Sequence, residues 1–153
     1  MGERIFCQIE SVPYEELLAF MRLQAEDTFP SLQDKERLLA FTKKLNDFAT
    51  FCLYRDKGQL IGMIAFYSNR CDIDFAYITH VYVSPAYRRK GVFRRMLNEV
   101  MAYVMKINIP KIKLEVKLDN VTARNIYVKN GFKAERMASE DSIYMVLLCQ
   151  KSH

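Results

Sequence analysis

A cluster of basic residues stands where a strand-like run of the sequence gives way to a helix-like run. Gly91 lies within the cluster, whose cations are Arg88, Arg89, Lys90, Arg94 and Arg95. A helix N-terminus presents unpaired backbone N–H groups and the positive end of the helix dipole, so phosphate oxygens are stabilised there. Gly91 has no Cβ and would let the backbone approach such a ligand closely. The pattern indicates a nucleic-acid surface, a pocket for a small phosphorylated ligand or a solvated helix start.

A second stretch, residues 120–132, carries polar and aromatic side chains on one face of a predicted helix. If Asn120 is position i, then Ala123 and Arg124 are positions i+3 and i+4, and Tyr127 is position i+7. Residues at this spacing share one face of a helix over two turns. Each also has an ordinary structural explanation: Asn120 could be the N-cap of the helix, and Tyr127 could be a half-buried aromatic residue.

Hydrophobic periodicity predicts the elements that must position these two motifs. The predicted helices are residues 14–26, about 33–46, 92–107 and about 120–129. The predicted strands are an edge strand at residues 4–10, a hairpin around residues 56–59, a long run at residues 73–84, an alternating run at residues 111–118 and two closing strands. The order β α α β β β α β α β β predicts a mixed sheet with helices on its faces.

The composition predicts one globular domain, residues 1–153. Half of the 153 residues are hydrophobic, which is enough for a core, and no apolar run approaches the roughly 18 residues of a membrane helix. The N-terminal residues lack a signal-peptide pattern, so we expect a soluble, cytoplasmic protein without a membrane partner. The four cysteines and two histidines have no metal-ligand spacing, so we expect free thiols and no metal. The net charge of +5 equals that of the basic cluster, so the excess charge is local.

Together, the two motifs resemble those of the GNAT superfamily of N-acetyltransferases. The acyl-CoA motif of that family, Q/R-x-x-G-x-G/A after a V-x-P-x-Y strand end, is similar to residues 83–93, VSPAYRRKGVF. Phe93 departs from the family pattern, which usually has glycine or alanine there; a ring turned into the core would leave its N–H free for a phosphate. The second signature, N-x-x-A-x-x-x-Y-x-K-x-G-F, is matched by Asn120, Ala123, Tyr127, Lys129, Gly131 and Phe132.

The resemblance implies an α/β (α+β) fold: a mixed, mostly antiparallel central β-sheet, flanked by helices, in which two neighbouring parallel strands splay apart. Acetyl-CoA would lie in the gap as co-substrate. Backbone groups of Val81 and Val83 would pair with its pantetheine arm, and amides of residues 89–94 would hold its pyrophosphate. The implied cofactor-binding residues are Val81, Tyr82, Val83, Arg88, Arg89, Lys90, Gly91, Val92, Phe93, Arg94, Asn120, Ala123 and Tyr127.

The implied reaction transfers the acetyl group to a primary amine by direct attack through a tetrahedral intermediate. A backbone N–H near Val81 could stabilise the oxyanion of that intermediate. Tyr127 is the implied catalytic residue, because a phenol with a reference pKa of about 10 could protonate the departing thiolate. The alternative is a catalytically silent acyl-CoA-binding sensor or partner protein. The basic cluster is compact and adjoins the CoA signature, so nucleic acid is not an expected partner; a homodimer is left open.

The general base is left open among Asp72, Asp74, Tyr77, Thr79, His80 and water. If Val81 and Val83 face the co-substrate, uninterrupted alternation puts Tyr77 and Thr79 on the same side of the strand and His80 on the other. A β-bulge would reverse that order. We favour a structural role for His80.

The acceptor amine is not predicted from the sequence. The resemblance implies that residues 27–39 and 135–144 line its side of the site. The second stretch is acidic and could attract a cationic amine, although solvated loop charges explain the same residues, Glu135, Glu140 and Asp141.

Overall fold

The computed structural model describes residues 4–27, 29–69 and 73–149. Its strands are β1 (Ile5–Ile9), β2 (Thr50–Asp56), β3 (Gln59–Tyr67), β4 (Phe75–Val83), β5 (Lys111–Lys117), β6 (Lys133–Met137) and β7 (Ser142–Leu148). Its α-helices are α1 (Tyr14–Asp27), α2 (Lys35–Phe48), α3 (Val92–Lys106) and α4 (Val121–Lys129). Short 3₁₀ turns at Pro30–Gln33 and Pro85–Tyr87 precede α2 and α3. The predicted element order is confirmed.

The strands form one seven-stranded sheet in the order β1-β2-β3-β4-β5-β7-β6. Strands β4 and β5 are parallel, and the other neighbouring pairs are antiparallel. The predicted hairpin is β2–β3, whose two-residue turn is Lys57 and Gly58, with φ values of 53° and 81°. Positive φ at both turn residues matches the right-handed twist of the paired strands.

Two helix starts differ slightly from the predicted bounds, because capping residues lie outside the helix itself. The Asp34 side chain accepts hydrogen bonds from the amides of Glu36 and Arg37, so α2 begins at Lys35 and Gln33 belongs to the preceding 3₁₀ turn. Asn120 likewise caps α4, which begins at Val121. An N-cap side chain satisfies a backbone donor that the first helical turn leaves unpaired.

Each face of the sheet carries a hydrophobic core. The core on the face of α3, here called the α3-side core, includes Phe66, Met96, Val100, Phe132 and Met145. The core beneath α1 and α2, the α1/α2-side core, includes Leu17, Met21, Leu45, Leu53 and Met63. Among the residues described, no helix combines the length and the hydropathy that a membrane span requires.

The parallel strands β4 and β5 separate early, as the resemblance implied. Their pairing runs through Phe75↔Lys111, Ala76↔Ile112 and Tyr77↔Lys113, and both strands continue for several residues beyond it. The residues of β4 after Tyr77 are paired with β3 on one edge only, so a wedge opens between β4 and β5.

Candidate active site

Helix α3 begins at the edge of this wedge with its first amides uncapped. Gly91 is the N-cap residue, with φ 80°, and no side chain of the described structure caps the helix at this end. The first hydrogen bond of the helix runs from the Arg95 amide to the Gly91 carbonyl, at 3.1 Å. The amides of Val92, Phe93 and Arg94 therefore have no intrahelical acceptor and are available to an anion.

The cations of the basic cluster divide into two groups. Arg88 donates to the Val83 carbonyl oxygen at 2.8 Å and to the Asp27 carboxylate, and its guanidinium lies over the Tyr82 ring. Arg95 donates to the Tyr54 hydroxyl at 2.9 Å. Arg89, Lys90 and Arg94 are exposed, and the described residues offer them no ion-pair partner. The second group is thus the one free to meet a phosphate.

The edge of β4 that β5 leaves unpaired presents the backbone groups of Val81 and Val83, although the Val83 carbonyl oxygen already accepts a hydrogen bond from Arg88. The Ser84 amide donates to the Ile61 carbonyl of β3 at 2.7 Å, so alternation along the strand turns the amides and carbonyls of Val83 and Val81 to the opposite edge. That edge faces the wedge. Both side chains are half-buried against the α3-side core. The wedge therefore offers strand-like hydrogen bonding to an extended ligand, and contact of Val81 and Val83 with pantetheine stays a prediction.

Tyr127 lies close to the start of α3. Its ring packs edge-on against Phe93, with 5.6 Å between ring centroids, and against Phe132 at the same separation. Burial raises the pKa of Tyr127 to about 12, so the phenol keeps its proton at neutral pH. The Phe93 ring packs at the border of the α3-side core, which matches the expectation that it turns inward. The two motifs of the sequence thus meet in space.

Asn120 and Ala123 connect the first turn of α4 to the same region. The Asn120 side chain accepts a hydrogen bond from the Ala123 amide at 3.2 Å, so it caps the helix. Ala123 is half-buried against the α3-side core beside Tyr127. A role for Asn120 toward pantetheine stays a prediction, and such a contact would use the donors of its amide group that capping leaves free.

Tyr82 differs from its neighbours, because its side chain lies on the opposite face of the sheet. It is part of the α1/α2-side core, and its hydroxyl donates to the Asp27 carboxylate at 2.9 Å. Only the backbone of Tyr82 is therefore near the wedge. Asp27 also binds Arg88, so it ties the end of α1 to the basic cluster; the sequence contains no signal for this contact, which spans 61 residues.

A β-bulge decides which candidate bases face which side. The β3–β4 register shifts between Ala65↔His80 and Phe66↔Ile78, and Thr79 is the extra residue. Ile78 therefore shares the α3-side core with Val81 and Val83. The bulge puts Tyr77 on the face opposite Val81 and Val83, as the bulged alternative predicted, but it does not bring His80 to their side as that alternative also implied. His80 also lies on that opposite face, beside Tyr82.

The remaining candidate bases are separated from the wedge or poorly suited to it. Asp74 forms an ion pair with Lys111 at 3.2 Å, at the closed end where β4 and β5 still pair. Burial, followed by the nearby Glu115 and Tyr144, raises the pKa of Tyr77. Asp72 lies outside the described residues.

His80 is held in a neutral, buried environment. Its Nε2 atom lies 2.6 Å from the Gln24 Oε1 atom, and the Gln24 amide nitrogen donates to the Met63 sulfur at 3.3 Å. The carbonyl oxygen of Gln24 therefore faces His80, and Nε2 carries the hydrogen. Burial lowers the pKa of His80 to about 4, which makes it a weak base toward an ammonium group. The sequence contains no signal for Gln24, which lies 56 residues away.

The three described cysteines lie in or against the α3-side core. Cys7, Cys52 and Cys149 are free thiols, as expected, whereas Cys71 lies outside the described residues. Burial raises the pKa of Cys149 to about 11 and keeps it protonated at neutral pH.

The acidic residues near β6 and β7 are largely neutralised. Glu135 forms an ion pair with Lys113 at 2.9 Å. Asp141 pairs with Lys117 at 3.0 Å and accepts a hydrogen bond from Ser139. Two of the three carboxylates that could have attracted a cationic amine are therefore already paired.

The fold and both motifs agree with a family comparison. Residues 15–132 match the model of the acetyltransferase (GNAT) family. The chain belongs to this family. This GNAT domain has the wedge, the uncapped helix start and the inward-facing tyrosine in one region of the molecule.

Curated relatives are similar to this chain over part of its sequence. Streptothricin acetyltransferase from Escherichia coli is 33% identical over 86 residues, which are 56% of this GNAT chain and 48% of the relative. The chain therefore spans about half the length of that curated relative, and a matched stretch covers 26% of a second one.

Solved structures extend the likeness over nearly the whole chain. The paia N-acetyltransferase from Thermoplasma acidophilum, in complex with coenzyme A, is 20% identical with a TM-score of 0.75, over 94% of this chain and 99% of that one. A proposed streptothricin acetyltransferase from Bacillus anthracis, in complex with acetyl coenzyme A, is 26% identical with a TM-score of 0.59, over 67% of this chain and 64% of that one. The GNAT-like mixed sheet expected from the sequence is confirmed.

Proposed function

We propose that the protein is an N-acetyltransferase that moves the acetyl group of acetyl-CoA to a primary amine. The observation that carries the proposal is the convergence of the uncapped α3 start, the open edge of β4 and the Tyr127 phenol. Membership of the GNAT family and the CoA-bound neighbours support acetyl-CoA as co-substrate. The amine class is the finer part of the proposal, supported by relatives named as N-acetyl- or streptothricin acetyltransferases.

Different residues of the wedge would bind the pyrophosphate and the pantetheine arm of acetyl-CoA. The amides of Val92, Phe93 and Arg94, with the exposed cations Arg89 and Lys90, would hold the pyrophosphate, because a helix N-terminus and nearby cations stabilise its charge. The open edge of β4 would pair with the amide-bearing pantetheine arm as an added strand does.

The chemistry then needs no covalent enzyme intermediate. The amine nitrogen attacks the thioester carbon, an oxyanion forms, the C–S bond breaks, and the thiolate leaves. A backbone N–H on the open edge near Val81 would stabilise the oxyanion. Tyr127 would donate a hydrogen bond to the leaving sulfur; its raised pKa makes complete proton transfer less favourable, since a thiol has a pKa of about 8.5. Residues 78–83 of β4 include no carboxylate, and we propose that the amine loses its proton to water.

The test combines binding and turnover in the wild type and Tyr127→Phe. Calorimetry should give one acetyl-CoA bound per chain for both. Thiol release with a panel of polyamines, aminoglycosides and peptides with free N-termini should exceed hydrolysis in the wild type. We expect turnover of Tyr127→Phe to fall about 100-fold, the lower end for loss of a general acid, because the phenol acts mainly as a hydrogen-bond donor.

Tyr103→Phe is the matched control, since Tyr103 packs on Phe66 from the last turn of α3 and its loss of a hydroxyl should leave turnover unchanged. The absence of heat at high micromolar acetyl-CoA would overturn the proposal. Binding without thiol release for any amine would instead favour the silent acyl-CoA sensor. The bulky Phe93 and the lack of an acidic residue on β4 beyond Tyr77 are the reasons to consider that alternative. An unchanged rate for Tyr127→Phe would remove that residue from catalysis.

A further inference from the structure

A second cavity lies on the face of β4 opposite Tyr127. It has a volume of about 360 Å³ and is lined by Phe29, Ser31, Leu32, Arg37, Phe41 and His80. His80 belongs to the part of β4 that has already parted from β5, so the cavity adjoins the stretch of β4 whose free edge faces the wedge. The other lining residues are Phe29, which directly precedes the 3₁₀ turn, residues of that turn, and residues of the first turns of α2.

The inner walls of this cavity are flat and uncharged. The Phe29 ring centroid lies 4.8 Å from that of His80, and the Phe41 centroid lies 5.4 Å from it, at an interplanar angle of 72°. Leu32 is buried beside them. His80 is neutral at physiological pH, because burial lowers its pKa to about 4. Three rings and one aliphatic side chain suit an apolar, planar body.

Arg37 is the charged residue of the lining. It stands in the first turn of α2, where its backbone amide is bound to Asp34, while its guanidinium has no carboxylate partner among the described residues. No acidic side chain is among the lining residues. A guanidinium without a partner at the rim of an apolar cavity favours a carboxylate on the ligand.

We propose that this cavity receives the acceptor, and that the acceptor is a small amine with an apolar, planar body and a carboxylate at the end far from the amine. This inference rests on the proposed function for the direction of the ligand: the amine would lie at β4, near the wedge, and the carboxylate at Arg37. The same lining disfavours polyamines, whose far end is cationic and would meet Arg37.

Three probes with one body and different far ends test this inference. They are 4-(aminomethyl)benzoate, benzylamine and 1,4-bis(aminomethyl)benzene, whose far ends are anionic, neutral and cationic. Binding is measured by calorimetry in the presence of CoA, so no turnover is needed. We expect the wild type to bind the benzoate about fivefold more tightly than benzylamine, the size of a partly exposed ion pair, and the diamine most weakly.

Substitution of Arg37 should remove the difference. Arg37→Gln should bind the benzoate and benzylamine equally, and Arg37→Lys should restore part of the preference. Lys44→Gln is the matched control: it removes the same charge from the same helix, but Lys44 lies over the Tyr67 ring and does not line the cavity. Lys44→Gln should therefore keep the fivefold preference.

The outcomes separate this inference from the proposed function. Equal binding of the three probes by the wild type, no binding of any probe, or an equal loss in Arg37→Gln and Lys44→Gln would overturn the assignment of the cavity. A protein that binds no acetyl-CoA and releases no thiol, yet keeps an Arg37-dependent preference for the benzoate, would overturn the transferase proposal and leave the anion-selective cavity standing.

Discussion

Two ionisable side chains, His80 and Tyr127, lie on opposite faces of the sheet, and burial holds both in their neutral forms. For Tyr127 the pKa rises to about 12, and for His80 it falls to about 4. Removing a charged group from water disfavours the ionised form, which explains the opposite directions for an acid and a base. A neutral phenol can donate a hydrogen bond to an anion, and a neutral imidazole can line an apolar cavity without a counter-ion.

The depressed pKa of His80 makes the stability of the fold depend on pH. The unfolded chain takes up a proton near the ordinary pKa of 6.5, whereas the folded chain does so only near 4. The neutral, buried His80 therefore contributes to the free energy of unfolding in full above pH 6.5. This contribution, about 3 kcal/mol in total, is lost as the pH falls toward 4. His80→Gln keeps a donor for Gln24 and should flatten this part of the pH dependence. Urea unfolding at pH 7 and pH 4.5 measures the free energy of unfolding at each pH. An equal loss of this free energy between the two pH values in wild type and His80→Gln would contradict the assignment.

At the level of elements, the junction between β4 and α3 matters most. Strand β4 leaves β5 after Tyr77, a bulge at Thr79 re-aims its second half, and Gly91 turns the chain into α3 with φ 80°. The result is an open strand edge followed by an uncapped helix start. Residues with a Cβ avoid this left-handed backbone conformation, so Gly91 sets the direction of the first helical amides.

A pair of glycine substitutions separates backbone strain from binding. Gly91 and Gly58 have φ values of 80° and 81°, and an added Cβ would meet no atom within 4 Å at either position. Both Gly91→Ala and Gly58→Ala should lower the free energy of unfolding by about 1 kcal/mol. Only Gly91→Ala should also weaken CoA binding, because only it displaces the amides of α3. Calorimetry measures the affinity of both variants for CoA. Equal affinities would show that the start of α3 does not hold the ligand.

At the level of the whole molecule, the two halves of the sheet are joined by a short ladder and a shared core. Strands β1–β4 and strands β5–β7 meet through the three residue pairs of the β4–β5 contact. The α3-side core crosses that junction, since Phe66 of β3 belongs to the same cluster as Leu114 of β5 and Met145 of β7. A ligand in the wedge would bridge the halves where the strands have separated.

This arrangement predicts one unfolding transition for residues 1–153. Binding of the co-substrate should raise the midpoint temperature of that transition. At acetyl-CoA concentrations about 100 times the dissociation constant, the folded state gains about 2.7 kcal/mol. For a domain of this size the midpoint should rise by about 5–10 °C. Differential scanning calorimetry with and without acetyl-CoA measures both points. Two separate transitions would contradict the single-domain expectation, and an unchanged midpoint would argue against binding in the wedge.

Much of the architecture could be predicted from the sequence, because it depends on neighbours along the chain. Alternating and 3.6-residue patterns predicted the order of the elements, and the positive-φ turn at Gly58 was foreseeable between two strand-like runs. The cap at Asn120 and the helix start at Gly91 follow from the preferences of single residues. The small differences at α2 arise because Asp34 acts as a cap just outside the helix.

The sequence by itself determined the elements and the two motifs, since hydrogen bonds and periodicity within a helix or strand involve residues a few positions apart. Only the tertiary structure decided which side chains meet across the sheet: Gln24 with His80, 56 residues apart, and Asp27 with Arg88, 61 residues apart. The bulge at Thr79 belongs to the same class, because it is set by the register against β3 and reverses the face of Tyr77. Such contacts depend on how separate elements pack, and no local pattern carries that information.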